Sequence, residues 1–533
     1  MKVYDVVAAT LSGHGPVFGL MGDANLAYLG ALMEHQAGRF VGAVAEGGAV
    51  SMADGYHRAS GDIGIASVTH GPALTNCVTA LTEAVRARSH VLLLTGDTPD
   101  YHDHFQRIDI QAVASLTGAA YLRAFDPDRI ADDLRRALDT IQAQGRPLIL
   151  DIPAALLERE SACTLRGHST TQPRPPAPHA DAVDDALGML LSSDRPLILA
   201  GRGAAGAGDV IADLAALLGA PVSTTLLAKD LFGPEVVNIG IHGTLAHQVG
   251  AQEIAAADCV LVLGASLNSF TTDSGHLLDG KAVIQCDIRA DALGRFGPIT
   301  FGIVADVQTC VWTMLARLTE HGQQPPHSRR LADLRQRLAA LDPTSYVPLD
   351  RVGTADPRDI MRALNTLLPI GTEVVTDIGR FTRPVWRHIG TRAGHFHVTS
   401  TFGSIGLGLA TAVGASAARP DRVTAVFVGD GGAMMSIAEL STAVRELLPL
   451  VVVVSNDTCY GAEWAKLLQV GLEPEHACVD WPSFAEVGTS LGAQTIRITG
   501  IEDLHLVEDA LARRAFPLLV EVMTDPSTAP TRC

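Results

Sequence analysis

No run of basic residues interrupts this 533-residue chain, and acidic side chains outnumber basic ones by 58 to 40, for a formal net charge of -18. Such a surface repels phosphate backbones, so nucleic acid is not expected as a partner. No Cys-x-x-Cys pair occurs, and the cysteines stand apart at 77, 163, 259, 286, 310, 459, 478 and 533. Neither a zinc ribbon nor a disulfide framework is indicated, and scattered cysteines of this kind read as buried thiols in a reducing compartment. Long apolar runs are also missing. Val91 to Leu94 and Val451 to Val454 fall far short of the about 20 residues that a membrane helix needs. The opening residues, Met1-Lys2-Val3-Tyr4-Asp5, contain no signal-peptide core. A cytoplasmic protein with no membrane partner is the expectation.

What the chain does have is apolar mass. At 47% hydrophobic and 18% charged residues it can bury several cores. Two stretches break the pattern: a linker near 161–180 containing Gln172-Pro173-Arg174-Pro175-Pro176, and a segment near 321–357 that includes a charged helical piece at 328–341. The cuts predict three domains at 1–165, 181–325 and 355–533. Each alternates short β-branched runs with helix-length amphipathic stretches, the pattern of an α/β fold with doubly wound parallel sheets. The first and third share a plan.

The strongest chemical signal is Val428-Gly429-Asp430-Gly431-Gly432-Ala433, followed 26 positions after the aspartate by Asn456-Asp457-Thr458. The spacing places Asp430 and Asn456 at the carboxyl ends of successive parallel strands, with a helix over 432–447 as the crossover. Ligands of open α/β sheets bind above such strand ends. A carboxylate, an amide oxygen and a backbone carbonyl are hard ligands suited to Mg²⁺, and the glycines let a diphosphate approach the backbone. A dinucleotide site fits badly, because no Gly-x-Gly-x-x-Gly follows a strand here.

These motifs resemble those of thiamine-diphosphate enzymes, in particular the acetolactate synthase, pyruvate decarboxylase and benzoylformate decarboxylase group. The resemblance implies pyrimidine-binding, central and diphosphate-binding domains, in that order. It implies metal ligation by Asp430, Asn456 and the Thr458 carbonyl, and cofactor contacts from Gly429, Gly431, Gly432, Ala433 and Tyr460. Val44-Ala45-Glu46-Gly47-Gly48-Ala49 followed by Gly55-Tyr56 resembles the stretch that carries the family's activating glutamate. Glu46 would then hydrogen-bond the pyrimidine N1′, a step of the general acid–base kind worth about 10²–10⁴-fold. Thr69 to Asn76, with Pro72 and Asn76, resembles a cofactor-side turn, and Phe105-Gln106 a substrate-side stretch. Phe402 to Gly406 resembles the segment in which the Gly403 carbonyl and Ile405 grip the aminopyrimidine.

The sequence also departs from its relatives. Ser266 stands where acetolactate synthases have a flavin-holding arginine, so FAD is not expected. His70 replaces a serine and reads either as a proton shuttle to the substrate or as a loop histidine bonded to backbone. His102 and His104 read as solvated loop residues. Glu463 is either a proton donor or a favourable charge at a helix N-terminus. The expected activity is cofactor-dependent cleavage or formation of a C–C bond beside a carbonyl. A 2-oxo acid decarboxylase with carboligase activity leads. An acyloin-forming transferase, or a lyase or hydrolase of hydroxy ketones or diketones, is the alternative. Because the family joins Glu46 of one subunit to Asp430 of another, the expected partners are a small 2-oxo acid or ketone and further copies of the chain, as a homodimer or homotetramer.

Overall fold

The computed structural model describes residues 1–35, 38–99, 103–163, 174–325, 329–342, 344–347, 349 and 351–528. Three six-stranded sheets carry the fold. In the first, β1 (Val17–Gly19), β2 (Phe40–Gly42), β3 (Gly64–Ser67), β4 (Val91–Thr95), β5 (Ala120–Arg123) and β6 (Leu148–Asp151) lie in the order β2-β1-β3-β4-β6-β5. The second comprises β7 (Pro196–Ala200), β8 (Val222–Thr224), β9 (Asn238–Ile241), β10 (Cys259–Leu263), β11 (Ala282–Asp287) and β12 (Phe301–Val304), in the order β12-β11-β10-β7-β8-β9. The third comprises β13 (Glu373–Thr376), β14 (Phe396–Val398), β15 (Thr424–Gly429), β16 (Leu450–Asn456), β17 (Gln494–Ile498) and β18 (Leu518–Met523), in the order β14-β13-β15-β16-β18-β17. The three-domain α/β architecture expected from the sequence is therefore present, and the first and third sheets share one strand order. The sheets are parallel. Strands covered on both faces read as continuous apolar runs, as in β16, where all seven residues are buried.

The chain forms two compact units. One joins the first and third sheets, from Met1–Thr170, Leu349–Ile389 and His397–Ala529; the other holds the central sheet. Within the first unit a single apolar cluster runs from Phe18, Val50 and Leu74 to Leu409, Val426 and Val454. Its centre is the crossing of α1 (Glu46–Ser60) with a later helix, Gly408–Ala418. A Cβ at Gly55 would overlap the Thr411 carbonyl, and one at Gly414 the Met52 carbonyl. Glycine is what lets these backbones touch. In the central unit, the charged piece expected near 328–341 is the helix Arg329–Ala339. Its Arg330 and Arg337 converge with Arg195 on the buried Glu253 carboxylate, at 3.2, 2.9 and 3.1 Å.

Two helical stretches are broken. The run 72–87 divides at Cys77 into Pro72–Asn76 and α2 (Val78–Ala87). The crossover helix expected over 432–447 begins earlier, and is α4 (Asp430–Ser436), a 3-10 turn (Ile437–Glu439) and α5 (Leu440–Arg445), with Gly408–Ala418 taken as α3. The turn swings Glu439 inward, where its carboxylate meets backbone donors of the first domain.

Candidate active site at the strand ends

The third sheet reverses its winding between β13 and β15, the kind of switch point at which a crevice opens outside the strand ends. Asp430 begins α4 directly after β15 and is buried. Its Oδ1 accepts from Gly431 N at 2.7 Å, while Oδ2 has no hydrogen-bond partner. Burial, reinforced by the neighbouring Asp457, raises the Asp430 carboxyl to about 7; burial raises Asp457 to about 6. Two buried carboxyls held this far up create a local demand for a cation. Asn456 ends β16, and its Nδ2 donates to Glu521 Oε1 on β18 at 2.8 Å. Thr458 adopts a positive φ of 57°, and its carbonyl accepts from Val479 N at 2.7 Å, which leaves that oxygen a second lone pair.

The glycines of the motif are required by close approach. A Cβ at Gly431 would lie 2.5 Å from the Tyr460 ring, and one at Gly432 2.5 Å from Asp377 Oδ2. Among the described residues no cluster of three or more His, Cys, Asp or Glu could cage a metal. One carboxylate, one amide and one carbonyl instead form an open set of hard oxygens, whose remaining positions suit phosphate and water around Mg²⁺. The residues thus fit the metal and diphosphate expected from the sequence.

On the first sheet's side, Glu46 is the first residue of α1, and Asn76 Nδ2 donates to its Oε2 at 3.1 Å. Glu46 makes no hydrogen bond to Asp430, Asn456 or Thr458 of its own chain. Pro72 opens its short helix after Gly71, whose φ of 64° brings it against the Gln106 backbone. His70 is buried, and its Nδ1 has no hydrogen-bond partner. The His104 ring meets it edge-on at 5.5 Å, and Gln106 N donates to His104 Nδ1 at 3.2 Å. Burial, with His104 adding to it, lowers the His70 pKa. The structure therefore gathers His70, His104 and Gln106. His102 lies outside the described residues.

The segment 401–406 is pinned at both ends. Thr401 N and Phe402 N donate to Glu83 of α2. Gly406 N donates to Asp377 Oδ2 at 2.7 Å, and Thr399 Oγ1 to Asp377 Oδ1 at 3.3 Å. Gly403 and Gly406, at φ of 85° and 89°, let the chain turn around Ile405. Burial raises Asp377 to about 6.

Beyond the Asn456–Thr458 loop, Tyr460 precedes α6 (Gly461–Gln469) and donates its N–H to Ala477 O at 2.8 Å. Glu463 is exposed and pairs with Lys466 at 3.2 Å. One expectation is overturned here. Cys459 and Cys478 form a disulfide, because the chain folds back so that Thr458 to Tyr460 run beside Ala477 to Val479. Cys77, Cys163, Cys259, Cys286 and Cys310 are free. Sequence reasoning also passed over Asp377, Glu521, Glu439 and Glu83. The first two carry a visible signal, a carboxylate closing or interrupting a buried strand. The other two carry none.

A surface cavity of about 570 Å³ between Ile108–Gln111 and Tyr121–Asp126 contains none of these residues. No helix among the described residues is long and apolar enough to cross a membrane.

Comparison with known proteins agrees with the three-sheet fold. The N-terminal TPP binding domain of thiamine pyrophosphate enzymes matches residues 1–113, their central domain 183–314 and their C-terminal TPP binding domain 377–522. A sulfoacetaldehyde acetyltransferase of Rhodobacter capsulatus is 30% identical over 97% of this chain and 92% of its own. A Pseudomonas aeruginosa protein named "Probable 2-ketoarginine decarboxylase AruI" is 28% identical over 86% and 82%. The acetolactate synthase isozyme 2 large subunit of Escherichia coli is 26% identical over 98% and 94%. With the strand-end site and the three matched domains, the chain belongs to the thiamine pyrophosphate enzymes.

Proposed function

We propose that the protein uses thiamine diphosphate and Mg²⁺ to cleave or form a C–C bond beside a carbonyl, first as a 2-oxo acid decarboxylase, with carboligation as a second outcome. The observation that carries the reading is Asp430, a buried carboxylate with an unpartnered oxygen in a glycine-walled crevice. Asp430, Asn456 and the Thr458 carbonyl would hold Mg²⁺. Gly429, Gly431, Gly432 and Ala433 keep side chains out of the diphosphate's place, and Tyr460 closes over Gly431. When bound, thiamine diphosphate supplies a nucleophilic carbon and an electron sink beside the scissile bond.

The chain's own residues align and protonate. Glu46, steadied by Asn76, holds a proton at the pyrimidine N1′. The Gly403 carbonyl would accept from the 4′-amino group, and Ile405 would give the cofactor an apolar contact. Pro72 shapes the turn on the cofactor side. His70 is neutral at physiological pH and can pass a proton to a substrate oxygen, with Gln106 beside it. Glu463, exposed and paired with Lys466 in the first turn of α6, fits a favourable charge at that helix N-terminus better than a second proton donor. Ser266 in place of the flavin-holding arginine supports a reaction without FAD. The family resemblance supports a homodimer or homotetramer in which Glu46 of one subunit serves Asp430 of another.

A second reading, acyl transfer, is favoured by the R. capsulatus relative, which is named for it. The test is CO₂ release from small, branched, aromatic and acidic 2-oxo acids, with and without thiamine diphosphate and Mg²⁺. Release from one subset, with an aldehyde product, supports decarboxylation. Product formation only when a second acceptor is added supports transfer. No release despite demonstrated cofactor binding overturns the decarboxylase reading.

A further inference from the structure

Two buried carboxylates outside the set just described each reach from one domain of the unit into the other. Glu439, in the turn between α4 and α5, is 3% exposed. Its Oε1 accepts from Val44 N at 3.1 Å and from Ala45 N at 3.0 Å, and its Oε2 lies 3.1 Å from Val44 N. Those donors are the two residues directly before Glu46. Glu83 in α2 is 1% exposed and does the converse. Its Oε1 accepts from Thr401 N at 3.2 Å and its Oε2 from Phe402 N at 2.6 Å. These are the two residues directly before Gly403. Each domain thus lends a carboxylate to the loop that carries the other domain's pyrimidine-side residue.

Burying an ionised carboxylate is a poor route to stability, since its desolvation offsets most of what its bonds contribute. Two such groups, each on successive N–H donors at the same offset from a cofactor residue, are better explained by placement. Supporting contacts agree. Arg58 Nη2 donates to Glu83 Oε1 at 3.2 Å, Arg58 Nη1 to Val398 O at 2.8 Å, and the Arg86 guanidinium lies 4.5 Å over the Phe402 ring. On the other side, Thr442 Oγ1 donates to Glu439 Oε2 at 2.9 Å, and Arg445 to Gly42 O at 2.5 Å. We propose that Glu439 and Glu83 are positioning residues, each setting across the domain boundary the reach of Glu46 and of the Gly403 carbonyl toward the aminopyrimidine. The inference rests on the roles given above to Glu46 and Gly403.

The two clamps differ in a way that a substitution can read. At Glu439, Oε1 accepts from both Val44 N and Ala45 N, while Oε2 only shares Val44 N and accepts from the Thr442 hydroxyl, which can reverse. The amide oxygen of Glu439→Gln placed at Oε1 therefore keeps both backbone donors, and only the shared contact is lost. At Glu83 the two oxygens take one donor each, so Glu83→Gln sets an NH₂ group against an N–H. The experiment uses the full chain loaded with thiamine diphosphate and Mg²⁺. It measures hydrogen–deuterium exchange at the cofactor C2 by NMR, without substrate, alongside cofactor affinity and melting temperature. Glu439→Ala and Glu83→Gln should slow exchange by about 10²-fold, the cost of a misplacement of about 1 Å. Glu439→Gln should restore it to within a few-fold of wild type, and melting temperatures should not follow that order. Should Glu439→Ala fail to fold, Glu439→Asp, which keeps the charge and shortens the reach, must slow exchange likewise. Wild-type exchange in Glu439→Ala or Glu439→Asp, or loss that simply tracks melting temperature, would overturn the inference. If Glu46→Gln itself exchanges like wild type, the role of Glu46 has failed, and not the clamp.

Discussion

Asn456 Nδ2 donates to Glu521 Oε1 at 2.8 Å between the neighbouring strands β16 and β18. The bond fixes which end of the amide is spent on β18 and leaves Oδ1 on the side of the following loop, the proposed metal site, where Thr458 N meets it at 3.1 Å. Orienting partners of this kind typically contribute 10–100-fold in metal affinity. Glu521→Ala should therefore weaken Mg²⁺-dependent cofactor binding by about that factor, read as the Mg²⁺ midpoint of tryptophan quenching. Because Glu521 also accepts from Ser483 Oγ and Ala485 N, the melting temperature of the cofactor-free protein should be measured alongside. An unchanged Mg²⁺ midpoint would refute the role.

Asp377 predicts a pH dependence. Its carboxyl is raised from 3.8 to about 6, so the folded chain binds that proton more tightly than the unfolded chain. The contribution favours the fold at pH below about 4 and is lost as pH rises toward 6. Above that, the ionised group costs at most about 3 kcal/mol. Asp377→Asn should raise the melting temperature of the cofactor-free protein above pH 6, and the gain should shrink as pH falls toward 4. A gain independent of pH would exclude this origin.

Cys459 and Cys478 predict a redox dependence. The disulfide sits beside the two backbone bonds, Val479 N to Thr458 O and Tyr460 N to Ala477 O, that hold the proposed metal loop to the following segment. Air-purified protein should show two fewer titratable thiols under denaturing conditions than protein treated with a dithiol. Reduced protein, and Cys478→Ser, should bind Mg²⁺ with thiamine diphosphate several-fold more weakly. Equal thiol counts before and after reduction would rule the bond out.

Gly55→Ala tests the helix crossing. The new methyl meets the Thr411 carbonyl, a backbone atom that no rotamer change can move aside. Overpacking of this kind costs roughly 1–3 kcal/mol or more. The melting temperature should fall by several degrees; Gly61→Ala offers a contrast, because its cost comes from a φ of 82° in open space.

Much of this was legible before any coordinates. Asp430 and Asn456 stand out because parallel crossovers impose a strand, a helix and a strand between them, and that constraint survives in spacing. The common plan of the first and third domains shows in their alternation, but the strand order does not, since the central domain alternates too and runs β12-β11-β10-β7-β8-β9. What escaped is pairing over distance. Glu439 meets Val44 across 395 positions and Glu83 meets Thr401 across 318, and no local pattern encodes either. Glu521 was visible as a single charge in Leu518-Leu519-Val520-Glu521-Val522, but its use was not, since that depends on which strand lies beside β18. Cys459 and Cys478 lack a recognisable spacing, and only the fold-back of the chain brings them together.

The contact between α1 and α3 also sets a schedule. Ser60, the last residue of α1, leaves the ribosome long before Ala418, the last of α3, because the central unit is encoded between them. At about 5–20 residues per second, the interval is on the order of 20–70 s. Throughout it the face of α1 that carries Met52 and Gly55 waits without its cover. A nascent chain of this design depends on whatever shields that helix for most of its own synthesis, and slow codons in the central segment would lengthen the wait.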